Sequence, residues 1–455
     1  LKSIKDLIRK QRVFFNTNQT KDIDFRIAQL RKFSELLTEN TIKLNDAIFD
    51  DFRKSAFDTI TCEISMIQAE IDLAIRKVKT WAKRKRVKTD LLNLPGKSYI
   101  IPEPLGVSLI IGAWNYPYFI SLAPVVAAIA AGNTIVLKPS ELPASTSRVM
   151  AEIINSNFDP SYFTVVQGGI AETEALLNEQ FDKIFFTGST TVGRIVYQAA
   201  AKNLTPVTLE MGGKSPAFIL DTTSIKMYVK RLIWAKFLNA GQPCVAPDYV
   251  LIPRRCKKLF IDAAIKEIEN QHFSIENQNY VQIITEKHIG RLSRLLEKDK
   301  IVFGGSYNLQ SRIFEPTIMD NVTFEDPVMQ EEIFGPILPV IPFDSLDSVI
   351  KEVKNRQKPL ACYIFTSEKQ LKDKILNEIS FGGGAVNDAL MHISNLNMPF
   401  GGVGESGIGS YHGEFGFNTF SHYKSIFEKS LLFESNVKYY PRTDLKLKLI
   451  KMVLK

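Results

Sequence analysis

The spacing of hydrophobic positions changes near residue 99. Up to about residue 85 it is helical. Within 23–37, Ile27, Leu30 and Leu37 recur with charged residues between them, and 63–83 reads the same way. Beyond Tyr99, short apolar runs alternate with amphipathic or alanine-rich stretches. Strands are predicted at 107–111, 134–137, 163–167 and 183–187, with helices at 122–131, around 150–155, at 172–178 and at 192–201. The texture resumes with strands at 217–220, 249–252, 338–343 and 360–365 and helices at 227–237 and 256–269. Strand and helix in alternation with short connections indicate parallel sheets covered on both faces. The tract between Glu210 and Pro216 is where the chain is expected to pass from one α/β domain to a second. No repeat of fixed period and no low-complexity linker is visible.

One stretch, 105–137, carries no charged residue and has the length of a membrane span. Gly112, Asn115, Pro117, Pro124, Gly132 and Asn133 interrupt it, so a buried strand–loop–helix–strand is expected and a transmembrane segment is not. Residues 1–12 are charged and show no cleavable apolar region, so no signal peptide is expected there.

A chain of 455 residues is too long for one undivided core, and 45% hydrophobic with 23% charged residues excludes a disordered or fibrous protein. Four widely spaced cysteines, Cys62, Cys244, Cys256 and Cys362, make no disulfide framework. A cytoplasmic setting fits them best. The net charge of +8 is uneven. One basic cluster comprises Arg76, Lys77, Lys79, Lys83, Arg84, Lys85, Arg86 and Lys88, which a solvated helix face explains. Another lies in a basic amphipathic tail, 436–455, where Lys446, Lys448, Lys451 and Lys455 alternate with Leu445, Leu447, Leu449, Ile450, Met452, Val453 and Leu454. Such a tail suits the surface of an anionic membrane, giving a peripheral contact. No aromatic-interleaved basic groove or zinc-finger spacing accompanies the charge, so neither nucleic acid nor a metal is expected.

Several short tracts carry chemistry. Phe185-Phe186-Thr187-Gly188-Ser189-Thr190-Thr191-Val192-Gly193 reads as a strand, a glycine turn and a helix start, whose amides would favour a pyrophosphate. Its glycines do not follow the Gly-x-Gly-x-x-Gly fingerprint, and a purely structural turn fits equally. In Val136-Leu137-Lys138-Pro139-Ser140-Glu141, Lys138 and Glu141 place a cation and an acceptor at the carboxyl edge of a sheet, although a surface lysine is the plain alternative. Cys244 follows the glycine-containing loop Asn239-Ala240-Gly241-Gln242-Pro243. Taken alone it reads slightly more readily as a buried structural cysteine than as a nucleophile. Glu210 precedes Met211-Gly212-Gly213-Lys214, where two glycines suggest close backbone approach.

Taken together, these tracts resemble the aldehyde dehydrogenase superfamily. Leu209-Glu210-Met211-Gly212-Gly213-Lys214-Ser215-Pro216 is similar to its active-site signature and Gly241-Gln242-Pro243-Cys244 to its cysteine signature. Phe186-Thr187-Gly188-Ser189 with Gly193, Trp114-Asn115-Tyr116-Pro117, Lys138-Pro139-Ser140-Glu141, Glu331-Glu332-Ile333-Phe334-Gly335-Pro336 and Pro399-Phe400-Gly401-Gly402-Val403-Gly404-Glu405-Ser406-Gly407 match in the family's order. Tyr411-His412-Gly413 with Phe417-Asn418-Thr419-Phe420-Ser421-His422 resembles the class 3 branch, which includes fatty and aromatic aldehyde dehydrogenases. Bacterial relatives of that branch handle terpenoid or carotenoid-derived aldehydes.

The resemblance implies an α/β aldehyde dehydrogenase fold with two Rossmann-like doubly wound α/β domains and a small β oligomerisation element. Residues 1–83 and 106–209 would form the NAD-binding domain, 210–395 the catalytic domain, and 84–105 with 420–435 the oligomerisation element of a homodimer. It implies NAD(P)-dependent oxidation of an aldehyde to the acid, with NAD preferred and NADP tolerated. Cys244 would be the nucleophile, Asn115 an oxyanion donor and Glu210 the base that activates water. Glu332, Phe334 and Trp114 would meet the nicotinamide side of the cofactor, Lys138 and Glu141 the adenosine ribose, and Gly188, Ser189 and Gly193 the pyrophosphate. A long or bulky apolar aldehyde is the small-molecule substrate expected, in a tunnel near Trp114, Tyr116, Tyr118, Phe119, Trp234, Phe237 and Met391. A coenzyme A-acylating enzyme and a catalytically weak binding homologue are the alternatives. Glu210 argues against the first, and the complete set of Cys244, Glu210 and Asn115 against the second. The chain departs from the family at Pro243, where threonine, valine or isoleucine is usual. Proline there is expected to keep Gln242 out of the helical region.

Overall fold

The computed structural model describes residues 2–453. Four of the apolar runs read from the sequence, with Val207–Glu210, form one parallel sheet. Its order is Phe163–Val165, Thr134–Lys138, Val107–Ile111, Lys183–Thr187, Val207–Glu210, with Gly407–Ile408 added antiparallel beyond Val207–Glu210. Alternation along the strands sorts their side chains. Val107, Leu109 and Ile111 enter a core with Ile4, Ile8, Leu176, Ile184 and Val196. Ile110 points the other way, into a core with Phe33, Phe52, Ile67, Ile71 and the helix Phe119–Ala131. The chain runs outward in both directions from Val107–Ile111, so the order reverses between that strand and Lys183–Thr187. The carboxyl ends of those two strands therefore open a crevice, the usual place for a ligand on such a sheet.

The uncharged stretch resolves as strand, turn, buried helix and strand. Phe119–Ala131 stops at Gly132, whose φ of 91° is left-handed and whose N–H reaches Ala128 O at 3.0 Å. No helix among the described residues is long and apolar enough to cross a membrane.

From Glu210 the chain crosses to a seven-stranded sheet ordered Ile301–Phe303, Thr317–Met319, Ile337–Phe343, Tyr249–Pro253, Pro216–Ile219, Ala361–Phe365, Gly383–Val386. Only Ile301–Phe303, at one edge, is antiparallel. A third sheet, antiparallel, joins exposed Lys85–Val87, half-buried Gly96–Pro104 and largely exposed Ser421–Lys429. The last two run in continuous register from Ser421↔Pro104 to Lys429↔Gly96.

The central strands coincide with the apolar runs of the sequence, and both doubly wound sheets were anticipated. The shortest strands of the second sheet were not. Ile301–Phe303, Thr317–Met319 and Gly383–Val386 are three or four residues long and carry no alternation strong enough to announce them. The tail contains a short turn at Asn436–Lys438 and an exposed helix, Asp444–Val453. Residues 454 and 455, its end, lie outside the described residues.

Candidate active site

A cavity of about 700 Å³ opens where the carboxyl ends of Val107–Ile111 and Lys183–Thr187 meet the amino ends of Pro216–Ile219 and Tyr249–Pro253. Trp114, Asn115, Gly188, Ser189, Glu210, Cys244, Glu332 and Phe334 all line it. The remaining residues singled out in the sequence lie elsewhere. Gly193 sits in the helix Thr190–Ala201 with the Met211 sulfur where its side chain would be. Lys138 and exposed Glu141 occupy the carboxyl end of the neighbouring strand, 3.8 Å apart, with Lys138 Nζ donating to Pro139 O at 2.8 Å. Burial lowers the Lys138 ammonium and Glu141 partly restores it. Of the aromatic and apolar residues expected along a tunnel, Trp114 alone reaches this cavity; Tyr118, Phe119 and Phe237 belong to the cores and Trp234 is exposed.

The helix Ile225–Phe237 ends in a tight left-handed turn that delivers Cys244 to the cavity wall, where the thiol keeps a partly exposed edge. Asn115, in the loop after the strand Val107–Ile111, is buried and donates Nδ2 to Gln242 O at 2.9 Å. An amide nitrogen carries two protons, so one N–H remains. Gln242 lies outside the helical region, as expected before a proline, at the bridge values φ −92°, ψ 9°. Its carbonyl is held by Asn115 and its N–H by Asn239 O at 3.1 Å, and these bonds hold it there.

Desolvation dominates the electrostatics. It pushes the Cys244 thiol up to about 12, with Glu332 and Glu210 adding to the rise and the nearby N–H groups of Cys244 and Val245 opposing it. Both carboxylate oxygens of Glu210 are buried without a partner, and burial lifts this acid well above the usual carboxylate range. Glu332 rises to about 8, chiefly by burial and then by the charge of Asp248. Its carboxyl lies against Gly212, where a Cβ would collide with it. Phe334 holds a left-handed φ of 47° and meets Trp114 edge-on at 5.2 Å.

The wall formed by Gly188, Ser189, Thr190 and Thr191 suits a pyrophosphate. Ser189 caps the helix Thr190–Ala201 through Oγ and Val192 N–H, and the amides of that helix start lie on the cavity. A Cβ at Gly188 would come within 2.5 Å of the Phe186 ring.

Two ion pairs that the sequence did not announce fix the loops. Lys214 bonds to the Asp248 carboxylate, to Val328 O at 2.9 Å and to Glu331 O at 2.8 Å, while Asp248 accepts the Ile333 N–H at 2.9 Å. Lys54 and Glu63 are buried 2.6 Å apart, and Glu63 also accepts the N–H groups of Tyr118 and Phe119 at 2.8 and 3.2 Å, anchoring the turn after Asn115. The signal for Asp248 was an acid opening an apolar strand; nothing in the sequence marked Lys54 or Glu63.

The sequence profile described as the aldehyde dehydrogenase family matches residues 2–426. The chain is 45% identical over 449 residues to the 4,4'-diaponeurosporen-aldehyde dehydrogenase of Staphylococcus aureus, covering 98% of this chain and 97% of the relative. It is 39% identical over 450 residues to the rat dimeric NADP-preferring aldehyde dehydrogenase, covering 98% and 99%. The solved substrate-bound state of Staphylococcus aureus AldH superposes with a TM-score of 0.96 at 45% identity over 99% of both chains.

A thiol raised this far is almost wholly protonated at neutral pH. Alkylation of Cys244 by iodoacetamide in the ligand-free protein should therefore climb about tenfold per pH unit from pH 7 to pH 10 without levelling. Peptide mass spectrometry across that range reads it. A plateau near the ordinary thiol value would contradict the desolvated setting.

Proposed function

The chain belongs to the aldehyde dehydrogenase family, and from that premise we propose that Cys244, Asn115 and Glu210 carry its reaction. The enzyme oxidises an aldehyde with NAD(P) through a catalytic cysteine. What supports these three residues is their convergence, from two different sheets, on one cavity whose far wall is a helix start suited to a pyrophosphate.

In this reading the Cys244 thiolate attacks the aldehyde carbon to give a thiohemiacetal. The remaining Asn115 N–H and the backbone N–H of Cys244 take the oxyanion, a donation worth about 3 kcal/mol for each donor. The nicotinamide, when bound, supplies the acceptor for the hydride. A thioester is left on Cys244 Sγ. Glu210 then removes a proton from water, the hydroxide adds to the thioester, the S–C bond breaks and the acid departs. Glu332 would hold the nicotinamide ribose, with Phe334 and Trp114 beside it. Gly188, Ser189 and Gly193 would surround the pyrophosphate, with Lys138 and Glu141 at the adenosine ribose. Glu141 repels a 2′-phosphate and Lys138 offsets that, so NAD is preferred and NADP accepted.

Residues 1–83 with 106–209 would then be the NAD-binding domain and 210–395 the catalytic one. Residues 84–105 with 420–435, the exposed three-stranded sheet, would pair two copies. The name of the rat relative as dimeric supports this. The substrate in this reading is long or bulky and apolar. The name of the Staphylococcus relative supports that choice, as does the tail. There Leu445, Leu447 and Met452 are exposed beside Lys446, Lys448 and Lys451, a composition suited to an anionic bilayer where such aldehydes reside. The setting is otherwise cytoplasmic.

Rapid-mixing measurements of NADH, made without coenzyme A, test the residue roles. Cys244→Ala should release none. Glu210→Gln should give a burst of about one NADH per active site followed by a slow phase. Steady turnover of the glutamine variant at the wild-type rate would remove the base.

A substrate series tests the apolar channel. From propanal through hexanal and decanal to hexadecanal, kcat/KM should climb with chain length and then level, since each buried methylene adds about 0.8 kcal/mol. A flat or falling series excludes a long channel. Deletion of residues 445–455 should weaken sedimentation with anionic vesicles, and unchanged binding excludes the anchor.

Equilibrium sedimentation should return twice the mass of one chain; a value of 51.4 kDa, the single chain, would exclude the dimer.

A further inference from the structure

The turn before the nucleophile is built in a conformation that L side chains avoid. Asn239 (φ 51°, ψ 33°) and Ala240 (φ 53°, ψ 37°) are both left-handed, and Gly241 follows at φ 71°. Consecutive left-handed residues persist only where their surroundings hold them. Here the surroundings are a closed set of hydrogen bonds. Asn239 is buried and donates Nδ2 to Asn115 O at 3.0 Å. Its own carbonyl accepts Gln242 N–H at 3.1 Å and Gln242 Nε2 at 2.9 Å. The Gln242 carbonyl in turn accepts Asn115 Nδ2 at 2.9 Å. Gln242 is locked from outside as well, by Gln282 O at 3.2 Å and by Ile284 N–H on Oε1 at 3.2 Å.

These partners fix which way the Asn239 amide faces. The Asn115 carbonyl only accepts, so the nitrogen must meet it, and Oδ1 is left buried without a partner. The side chain accepts that cost while its nitrogen ties the main chain of Asn115, on one sheet, to the loop that carries Cys244, on the other.

We propose that Asn239 is a positioning residue for the oxyanion: by holding the Asn115 backbone against the cysteine loop, it sets where the remaining Asn115 N–H points. This rests on the reading of Asn115 as the oxyanion donor. The competing role is purely conformational, because asparagine tolerates the left-handed region better than most residues. Aspartate shares that tolerance and the shape, and glycine adopts the region freely, so a conformational role makes both substitutions mild.

The two roles separate in the rate of the NADH burst. Asn239→Gly keeps the turn and removes the donor. Asn239→Asp keeps the shape and turns an acceptor towards Asn115 O. Since outright loss of an oxyanion donor costs about 10²–10³-fold, a displaced one should cost about tenfold in the glycine variant and about fiftyfold in the aspartate variant. NAD affinity by fluorescence titration should stay within about twofold in both, because the cofactor wall is untouched. Asn115→Ala, measured in parallel, should lose at least about 100-fold, and adding Asn239→Gly to it should cost nothing more. If Asn115→Ala is slow while Asn239→Asp stays within about threefold of wild type, the positioning role is overturned and the oxyanion reading survives. A normal burst in Asn115→Ala overturns both. Should the aspartate variant fail to fold, the glycine variant decides alone, and a burst within about twofold of wild type overturns the proposal.

Discussion

The cavity depends on one charged contact, made where the chain passes between its two large sheets. Lys214 leaves the crossing tract and meets Asp248 at the start of the adjacent strand, and both then spend their remaining bonds on the main chain from Val328 to Ile333. Glu332 lies within that segment and Phe334 just beyond it, so the carboxyl at Gly212 and the ring against Trp114 are placed by bonds that neither residue makes itself. Removing one partner of a fully buried pair costs about 3–5 kcal/mol. Lys214 retains some exposure, which lowers that figure through solvent screening. The local damage would still be large, because Asp248 would keep its charge with little water to receive it.

The same dryness governs the chemistry. Cys244, Glu210 and Glu332 are three acids around one space, and burial raises all of them. His288, whose ring lies 5.4 Å from Trp114, is driven the opposite way, to about 4, and stays neutral. A low dielectric penalises every resting charge and strengthens every fixed dipole aimed at a charge that appears during reaction. An amide such as that of Asn115, already oriented by Gln242, gains most from this arrangement.

Much of the fold was legible in the sequence, because buried parallel strands such as Val107–Ile111 and Lys183–Thr187 are continuous apolar runs bounded by glycine. The shortest strands of the second sheet, such as Thr317–Met319, were not, since their pairing is decided by neighbours and not by their own pattern. Motif residues such as Cys244, Glu210 and Glu332 stood out through the glycines and signatures around them. Lys54, Glu63, Asp248 and Asn239 did not, because no motif spacing announces their partners, nine residues apart for Lys54 and Glu63 and 34 and 124 residues away for the other two. Pro243 was legible for the opposite reason, since its restriction is local: Gln242 stays out of the helical region, and the bonds from Asn115 and Asn239 hold it there.

The strand that ends in Glu210 is completed on its outer side by Gly407–Ile408. These residues are made almost two hundred positions later, and the nine-residue ladder of the exposed sheet likewise waits for 421–429 to meet 96–104. During synthesis the first sheet therefore emerges with Val207–Glu210 as an open edge, its N–H and C=O groups unpaired, while the whole second sheet is being produced. The ribosome releases this edge well before its natural cover exists. A nascent chain must pass through that interval without pairing with its neighbours, and delay near the end of translation prolongs the exposure of the very strand that carries the acid.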